Sequence, residues 1–239
     1  MKKLLIIIPA YNEQESITRV VENLKQVCPS YDFVVVNDGS TDSTAGICRK
    51  NGYPLLDLPV NLGLSSAMQT GMRYANRRGY DCTMQFDADG QHLPEYIEPL
   101  MRKLEDGADI VIGSRFINVR KPKTLRMAGS YLLSWTIRFT TGQKICDPTS
   151  GMRLYGCEMI REFAANLNYA PEPDTISYLI KNGARVEEIQ VDMAERKAGK
   201  SYFNFYGSLH YMVKMIFSIL LIQWFRKRER YSVKGKRGV

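Results

Sequence analysis

The chain has 239 residues, of which 44% are apolar, and its 33 basic and 25 acidic residues give a formal net charge of +8. This length provides for one large domain, or for one domain with an appendage. Five scattered cysteines without a CxxC pair exclude a zinc knuckle and a redox motif, and their odd number fits a reducing compartment.

The first half of the chain alternates between predicted strands and predicted helices. The start, "MKKLLIIIPAYNE", resembles a signal peptide, but its apolar run ends at Asn12 and Glu13 without a small-residue cleavage site, so we interpret it as a buried strand. Apolar runs predict strands at 4–9, 32–37, 54–59, 81–86 and 109–114, and helical spacing predicts helices at 13–27, 41–51, 64–79 and 93–107. This alternation predicts an α/β fold with a mostly parallel sheet and helices on both faces.

Polar side chains follow the predicted strands at their carboxyl ends. They are Asn12 and Glu13, Asp38, Asn61, and the pair Asp87 and Asp89. In open parallel sheets the ligand lies beyond the carboxyl ends of the strands. Neither a GxGxxG fingerprint nor a GxxxxGK[ST] loop follows a strand, which excludes the common dinucleotide site and the P-loop.

The stretch "MQFDADGQHLP" places Asp87 and Asp89 one residue apart at a strand end, where two carboxylates repel each other unless a cation lies between them. The loop is similar to an EF-hand, but its sixth position is His92, where that loop needs glycine, and a strand precedes it. Hard oxygen ligands suit Mg²⁺ or Mn²⁺, and Gly90 allows a ligand to approach the backbone closely. We therefore predict a clamp for a metal ion and a diphosphate; a phosphatase-type nucleophile and a turn with acidic helix caps are the alternatives.

Four motifs follow one another in the first half: "IIIPAYNE" at 6–13, "VVVNDGSTDST" at 34–44, "NLGLSSAMQTG" at 61–71 and "FDADGQ" at 86–91. With these motifs the chain resembles the nucleotide-sugar glycosyltransferases of family 2, which have the GT-A fold. The resemblance implies a nucleotide-sugar pocket formed by Pro9, Tyr11, Glu13, Asp38, Asn61, Gly63 and Asp87. It also implies that Asp87 and Asp89 hold the metal ion, with Asp89 as the principal ligand and Gln91 at a third ligand position.

The second half contains "TLRMAGSYLLSWTIRFTTG", "DPTSGMR" and "ERKAGKSYF". These stretches resemble the polyprenyl-phosphate branch of the family, which includes dolichyl-phosphate mannosyltransferase, and the resemblance extends to about residue 203. It implies acceptor contacts from Arg126, Ser130 and Ser201. The implied catalytic residues are Asp89, Arg115, Arg126, Asp147, Arg153 and Arg196. Tyr202 stands where the family often has a lysine, which departs from the pattern at one phosphate contact.

The arginines of this set suit an acceptor that is already an anion. A lipid phosphate has a second pKa of about 6 and needs no general base, but cations must offset the repulsion between two anionic substrates. A sugar hydroxyl does need a base. The "QxxRW" element of hydroxyl-directed family members is absent, and the "ED" string, Glu105 and Asp106, stands at the end of the helix predicted at 93–107. In the second half of the chain the nearest acids to such a pair are Glu172 and Asp174. We therefore expect an inverting transfer from a GDP- or UDP-linked sugar to a polyprenyl phosphate.

Two alternative functions stay open. One is a transferase that elongates a polysaccharide or cell-surface glycan at a sugar hydroxyl, with Asp147, Glu172 or Asp174 as the base. The other is a non-catalytic scaffold that binds a nucleotide sugar. The intact "DADGQ" and Arg-x-x-Gly-x-Ser elements argue against the scaffold.

The end of the chain is first apolar and then basic. Residues 131–139 and 211–225 are rich in apolar and aromatic side chains but too interrupted to span a bilayer, and 226–239 carry seven basic residues and one acid. We expect a GT-A domain over 1–203 and, over 204–239, an amphipathic helix and a basic tail. The expected partners are an anionic membrane surface, a membrane protein or a second copy of the chain, and no nucleic acid; a core helix and a solubilising tail are the alternatives. The enzyme would then be cytoplasmic and peripheral on the membrane.

Overall fold

The computed structural model describes residues 2–165, 170–194 and 205–222, and at 125, 126, 205–209 and 222 it describes the backbone alone. The strands in these ranges are β1 Leu4–Ala10, β2 Asp32–Asp38, β3 Leu55–Leu58, β4 Cys82–Gln85, β5 Ile110–Ser114, β6 Arg153–Gly156 and β7 Val186–Gln190. The helices are α1 Ile17–Val27, α2 Thr44–Lys50, α3 Leu64–Arg78, α4 Ile97–Glu105, α5 Leu125–Thr141, α6 Cys157–Ala165, α7 Pro173–Lys181 and α8 Phe205–Phe217. A 3₁₀ turn, Pro94–Tyr96, leads into α4, and a π-helical turn, Ser218–Ile222, continues α8.

The strands form one sheet in the order β3-β2-β1-β4-β6-β5-β7. All neighbouring pairs are parallel except those of β6, which runs antiparallel to β4 and to β5. Because β6 pairs with β4, Arg153 lies directly beside Gln85, two residues before Asp87. The antiparallel strand therefore brings the second half of the chain next to the predicted metal loop.

Apolar residues on both faces of β1 account for the layered architecture. Leu4, Ile6 and Ile8 face a core shared with α1 and α4, whereas Leu5 and Ile7 face a second core shared with α3 and α5 to α8. A central strand that is buried on both sides needs helices on both faces. The predicted α/β fold, with a mostly parallel sheet between two helical layers, is confirmed.

Three helices, α1, α2 and α4, begin later than the sequence pattern predicts. A 3₁₀ turn precedes α4, and the residues before α1 and α2 build loops. The carbonyl oxygen of Glu13 accepts hydrogen bonds from the backbone N–H groups of Ser16 and Ile17, and the N–H of Glu13 donates to Thr44 Oγ1 over 2.9 Å. The Asp42 carboxylate accepts from the Thr44 N–H over 2.9 Å and so satisfies one of the free donors at the start of α2. These contacts tie the loop after β1 to the loop after β2.

The last described helix has one buried and one exposed apolar face. Met212, Met215 and Ile219 lie in the second core, while Phe217 and Leu221 are more than half exposed. The sequence was compatible with an amphipathic surface helix or with a core helix, and in the structure this helix has features of both. None of the helices in the described ranges has both the length and the apolar composition needed to cross a bilayer.

Candidate active site

A cleft of about 530 Å³ opens at the carboxyl ends of β1, β2 and β4. Its lining includes the predicted residues Pro9, Tyr11, Glu13, Asp38, Asn61, Gly63, Asp87, Asp89, Ser130 and Arg153. Gln91, Arg115 and Asp147 do not line it. Arg196 and Ser201 lie outside the described residues, as do the "RKAGKSYF" stretch and the basic tail, and of Arg126 only the backbone, in the first turn of α5, is described.

Asp38 fixes the side of the cleft formed by the loops after β2 and β3. Its carboxylate is buried and accepts backbone hydrogen bonds from Leu62 over 2.9 Å and from Gly63 over 2.7 Å. The neighbouring Gly39 has a φ of +63°, and a Cβ there would lie 2.5 Å from the Asn61 nitrogen. Only glycine permits this close approach of the two loops. We therefore assign to Asp38 the positioning of the turn that leads into α3, in addition to the nucleotide contact that the sequence suggests.

Asp87 is held in place by two residues that the sequence analysis did not select. Gln85 Nε2 donates to Asp87 Oδ1 over 3.0 Å. The buried His92 accepts the Asp87 backbone N–H at Nδ1 over 2.9 Å, so a neutral His92 carries its proton on Nε2, which lies 3.5 Å from Asp87 Oδ2. In the sequence, His92 served only to exclude an EF-hand, because no local pattern showed that its ring turns back towards the strand.

The Asp87 and Asp89 carboxylates fit a site for one divalent cation. Both line the cleft, and Asp89 Oδ1 accepts the Gln91 backbone N–H over 3.0 Å, which closes the turn. Mg²⁺ and similar ions commonly use one or two carboxylates and complete their shell with waters and phosphate oxygens. In the described ranges, no cluster of three or more His, Cys, Asp or Glu side chains could serve as a closed metal cage. The donor set therefore suits a metal ion that arrives with a diphosphate.

Gly151 allows the segment before β6 to approach Asp87 closely. A Cβ at this position would lie 2.6 Å from Asp87 Oδ2 and 3.3 Å from Gln85 Nε2. Any side chain would therefore push against the carboxylate. This steric restriction explains why the "DPTSGMR" element has a glycine at position 151.

Asp147 and Arg115 bind each other, although the sequence assigned both to the catalytic set. Arg115 Nε donates to Asp147 Oδ2 over 2.6 Å and the guanidinium donates to Oδ1 over 2.9 Å, in a bidentate pair with a fully buried carboxylate. Burial raises the pKa of Asp147, but the hydrogen bonds and charge of Arg115 outweigh it and hold the pKa below its usual range. A carboxylate of this kind is a poor general base.

Arg153 is buried at the start of β6, and backbone carbonyl groups hold it there. Its guanidinium donates to the oxygens of Pro148, Ser150 and Pro171 over distances of 2.6 to 2.8 Å. Within the described residues it forms no ion pair with a carboxylate. Arg153 thus fixes Ser150 and Pro171, which line the cleft on the side that the sequence predicts for the acceptor (the acceptor wall), and it places a positive charge there.

Glu172 is the acid of the "PEPD" stretch that lines the cleft. Burial raises the pKa of Glu172, and the Tyr211 hydroxyl donates a hydrogen bond to its carboxylate. Asp174, by contrast, accepts hydrogen bonds from the Ser218 hydroxyl over 2.6 Å and from the Thr175 N–H over 2.7 Å, and it does not line the cleft. Among the described acids proposed as a base, Glu172 is therefore the one that reaches the cleft.

The sheet order and the cleft at the strand ends match the GT-A fold. The family model for glycosyl transferase family 2 matches residues 5–166, and the chain belongs to this family. A crystal structure of glucosyl-3-phosphoglycerate synthase from Mycobacterium tuberculosis with Mn²⁺, UDP and phosphoglyceric acid has the same fold, with a TM-score of 0.66, 16% identity, and coverage of 95% of this chain and 80% of that chain.

Two curated relatives are more similar in sequence. Polyprenol monophosphomannose synthase of Mycolicibacterium smegmatis is 31% identical over 213 residues, which are 84% of this chain and 80% of the relative. Undecaprenyl-phosphate mannosyltransferase of Micrococcus luteus is 31% identical over 212 residues, which are 83% of this chain and 86% of the relative. The family expected from the sequence motifs is confirmed.

We predict that Asp147→Asn weakens the fold rather than the chemistry. Loss of a buried partner should lower the free energy of unfolding at pH 7 by on the order of 3 kcal/mol. Because the folded pKa of Asp147 is lowered, the contribution of the pair is complete above the unfolded pKa of about 3.9 and disappears as the pH falls through the folded value. Urea unfolding should therefore show the wild type and the variant converging towards acid pH.

The exposed Asp106 provides the matched control, and Asp106→Asn should leave the free energy of unfolding almost unchanged. At a temperature where Asp147→Asn is fully folded, turnover should remain measurable. A variant that is as stable as the wild type but inactive would show instead that Asp147 takes part in the chemistry.

Proposed function

We propose that this chain transfers one sugar from a nucleotide diphosphate sugar to a polyprenyl phosphate. The main support for the proposal is the ion pair between Asp147 and Arg115. Because this pair holds the pKa of Asp147 low, the acid of the "DPTSGMR" element is a poor general base for a hydroxyl acceptor. An acceptor phosphate is already ionised at neutral pH and needs no base. The two curated relatives, named as transferases to polyprenol or undecaprenyl phosphate, support this acceptor class.

The donor would lie between the loops after β1, β2 and β4. Pro9, Tyr11 and Glu13 would face Asp38 across the base and ribose, and a divalent cation at Asp87 and Asp89 would stabilise the departing diphosphate. Both Mg²⁺ and Mn²⁺ fit carboxylate oxygens, and the Mn²⁺ in the structure of the same fold supports a divalent ion. The nucleobase of the donor would be guanine or uracil.

The acceptor phosphate would approach from the side of α5 and β6. Arg153 would contribute positive charge there, together with Arg126 and Arg196, while the Ser130 hydroxyl lines the cleft. Cations on this side offset the repulsion between the two anionic substrates and leave the phosphate oxygen free to attack the anomeric carbon. The displacement is direct, so the anomeric configuration inverts.

The exposed face of α5 would place this side of the cleft against a membrane. Tyr131, Leu132, Trp135 and Phe139 form an apolar stripe at helical spacing, and Trp135 and Phe139 stack on each other while 61% and 72% exposed. The other face of α5 is packed in the second core, and its first turns line the cleft through Met127 and Ser130. Aromatic side chains flanked by cations such as Arg138 suit the interface of a lipid bilayer.

A second candidate function rests on Glu172. This carboxylate lines the cleft and burial raises its pKa, so it could accept the proton of a sugar hydroxyl in a glycan-elongating transferase. Its hydrogen bond from Tyr211 instead suits a role in holding α8 to the acceptor wall. A non-catalytic scaffold is the third candidate, and it predicts binding without turnover.

The acceptor is tested by incubating the full chain with a panel of labelled GDP- and UDP-sugars and a short polyprenyl phosphate. We expect label to enter the organic phase with one donor, and the free polyprenol or simple sugars not to be labelled. Glu172→Gln should retain this transfer. Efficient labelling of sugars that Glu172→Gln abolishes would favour the glycan-elongating enzyme, and binding of donors without any product would favour the scaffold.

The metal is tested with Asp89→Asn, in which a neutral amide replaces a carboxylate. We expect turnover to fall more than roughly 100-fold, because the amide balances a divalent charge poorly. Loss of a residue that only hydrogen-bonds to a metal ligand costs up to about 100-fold, and loss of a ligand itself should cost more. Excess chelator should abolish wild-type turnover, and added Mg²⁺ or Mn²⁺ should restore it. The exposed Asp106→Asn serves as control, and full turnover in chelator would contradict the metal-dependent mechanism.

The membrane contact is tested with the double variant Trp135→Ser/Phe139→Ser. Removal of two exposed aromatic side chains should reduce partitioning to anionic vesicles at least tenfold, with little effect of salt on the difference, because burial of apolar surface is not screened. Val27→Ser, at an exposed apolar position on the opposite side of the sheet, is the matched control. If vesicle cosedimentation is unchanged, the membrane contact is made by the basic tail or through a protein partner and not by the aromatic side chains of α5.

A further inference from the structure

Lys121 is a buried lysine that the sequence analysis did not select. It is 8% exposed, and its ammonium group donates hydrogen bonds to Ser130 Oγ over 2.8 Å and to Ser134 Oγ over 3.2 Å. The rings of Tyr131 and Phe116 lie 4.8 and 5.6 Å from the ammonium nitrogen. The side chain thus ends between a second, smaller cavity and the wall of the main cleft, to which Ser130 belongs.

The two serines differ in where their own hydroxyl protons go. Ser134 accepts from Lys121 and donates to the carbonyl oxygen of Ser130 over 2.9 Å, so it is satisfied as acceptor and as donor. Ser130 Oγ accepts from Lys121, but among the described residues it donates to no acceptor. A hydroxyl has one proton to donate, and Ser130 is buried in the wall of the cleft. The remaining donor of Ser130 is therefore available to a ligand in the cleft.

The charge on Lys121 also lacks a close counter-charge among the described residues. Burial lowers the pKa of Lys121, and the carboxylates of Asp147 and Glu188 oppose this from a distance, with Arg115 acting against them. Both carboxylates have nearer partners: Asp147 pairs with Arg115, and Glu188 accepts the backbone N–H groups of Cys146 and Asp147 over 2.6 and 2.9 Å. A buried cation without an ion pair favours an anion next to it.

We propose that Lys121 is a positioning residue for the phosphate of the acceptor, an inference that rests on the proposed function. The ammonium group holds Ser130 Oγ so that its proton is donated to a phosphate oxygen in the cleft. It also provides positive charge one hydrogen bond behind that contact. Lys121 acts through Ser130, and the sugar-transfer step itself involves no proton from either residue.

The test compares acceptor and donor KM for four single variants and one double variant of the full chain. Lys121→Met keeps the length of the side chain and removes the charge, and Ser130→Ala removes the donor. Each should raise the KM for a short polyprenyl phosphate roughly tenfold to a hundredfold, as expected for a lost hydrogen bond to a charged group, while the donor KM stays unchanged. Lys121→Arg should recover part of the loss.

The double variant Lys121→Met/Ser130→Ala should be little worse than either single variant, because both remove the same contact. Ser134→Ala is the matched control: it also loses a hydrogen bond from Lys121, but its hydroxyl does not line the cleft, so the acceptor KM should change less than threefold. Thermal unfolding of each variant checks the fold, which an apolar replacement of a buried charge should preserve. Equal effects of Ser134→Ala and Ser130→Ala, or fully additive effects of Lys121→Met and Ser130→Ala, would contradict the inference.

Binding of farnesyl phosphate and of farnesol, measured by calorimetry, separates this inference from the proposed function. Lys121→Met should lose the preference for the phosphate over the alcohol. If the wild type transfers sugar to polyprenyl phosphate and Lys121→Met keeps the wild-type preference for the phosphate, the inference about Lys121 is overturned and the proposed function stands. A wild type that shows the phosphate preference and loses it in Lys121→Met, but transfers no sugar to the lipid, would uphold the phosphate site and overturn the proposed function.

Discussion

The shape of the cleft depends on the buried guanidinium of Arg153. A cation in this position requires hydrogen-bond acceptors, and the chain supplies them as backbone carbonyl groups from Pro148, Ser150 and Pro171. Because Arg153 begins the antiparallel strand β6, the same contacts fix where the second half of the chain meets the central strands. Gly151 then lies close enough to Asp87 that no side chain fits between them. One buried charge thereby sets the distance between the two walls of the site.

The two walls carry opposite charges, and this arrangement suits the transfer of a sugar between two phosphate-bearing molecules. On the proposed donor side, Asp87 and Asp89 would hold a divalent cation, which would in turn bind a diphosphate. On the proposed acceptor side, Arg153 and Lys121 present positive charge held by carbonyl and hydroxyl oxygens, and Arg115 neutralises the Asp147 carboxylate. Fixed cations that need no rearrangement stabilise negative charge more effectively than solvent does.

The sequence predicted the first five strands, the layered fold and most of the lining of the cleft, because each rests on local periodicity or on a motif at a strand end. The sequence did not distinguish the roles of the arginines, because the residue type alone does not show whether a charged side chain is exposed or buried. Arg115 and Arg153 were both predicted to serve the phosphate, and the structure adds that Arg115 pairs with Asp147 and that Arg153 donates to backbone carbonyl groups. Their phosphate contacts stay a prediction. His92 and Lys121 were missed because their contacts join segments that are close only after folding.

Phosphorus NMR of the product reports which atom of the acceptor receives the sugar. With a purified chain, a nucleotide sugar and a short polyprenyl phosphate, we expect the monoester signal of the acceptor to be replaced by a phosphodiester signal as one equivalent of nucleoside diphosphate is released. An unchanged monoester signal during sugar transfer would place the new bond on a hydroxyl and would contradict transfer to the phosphate.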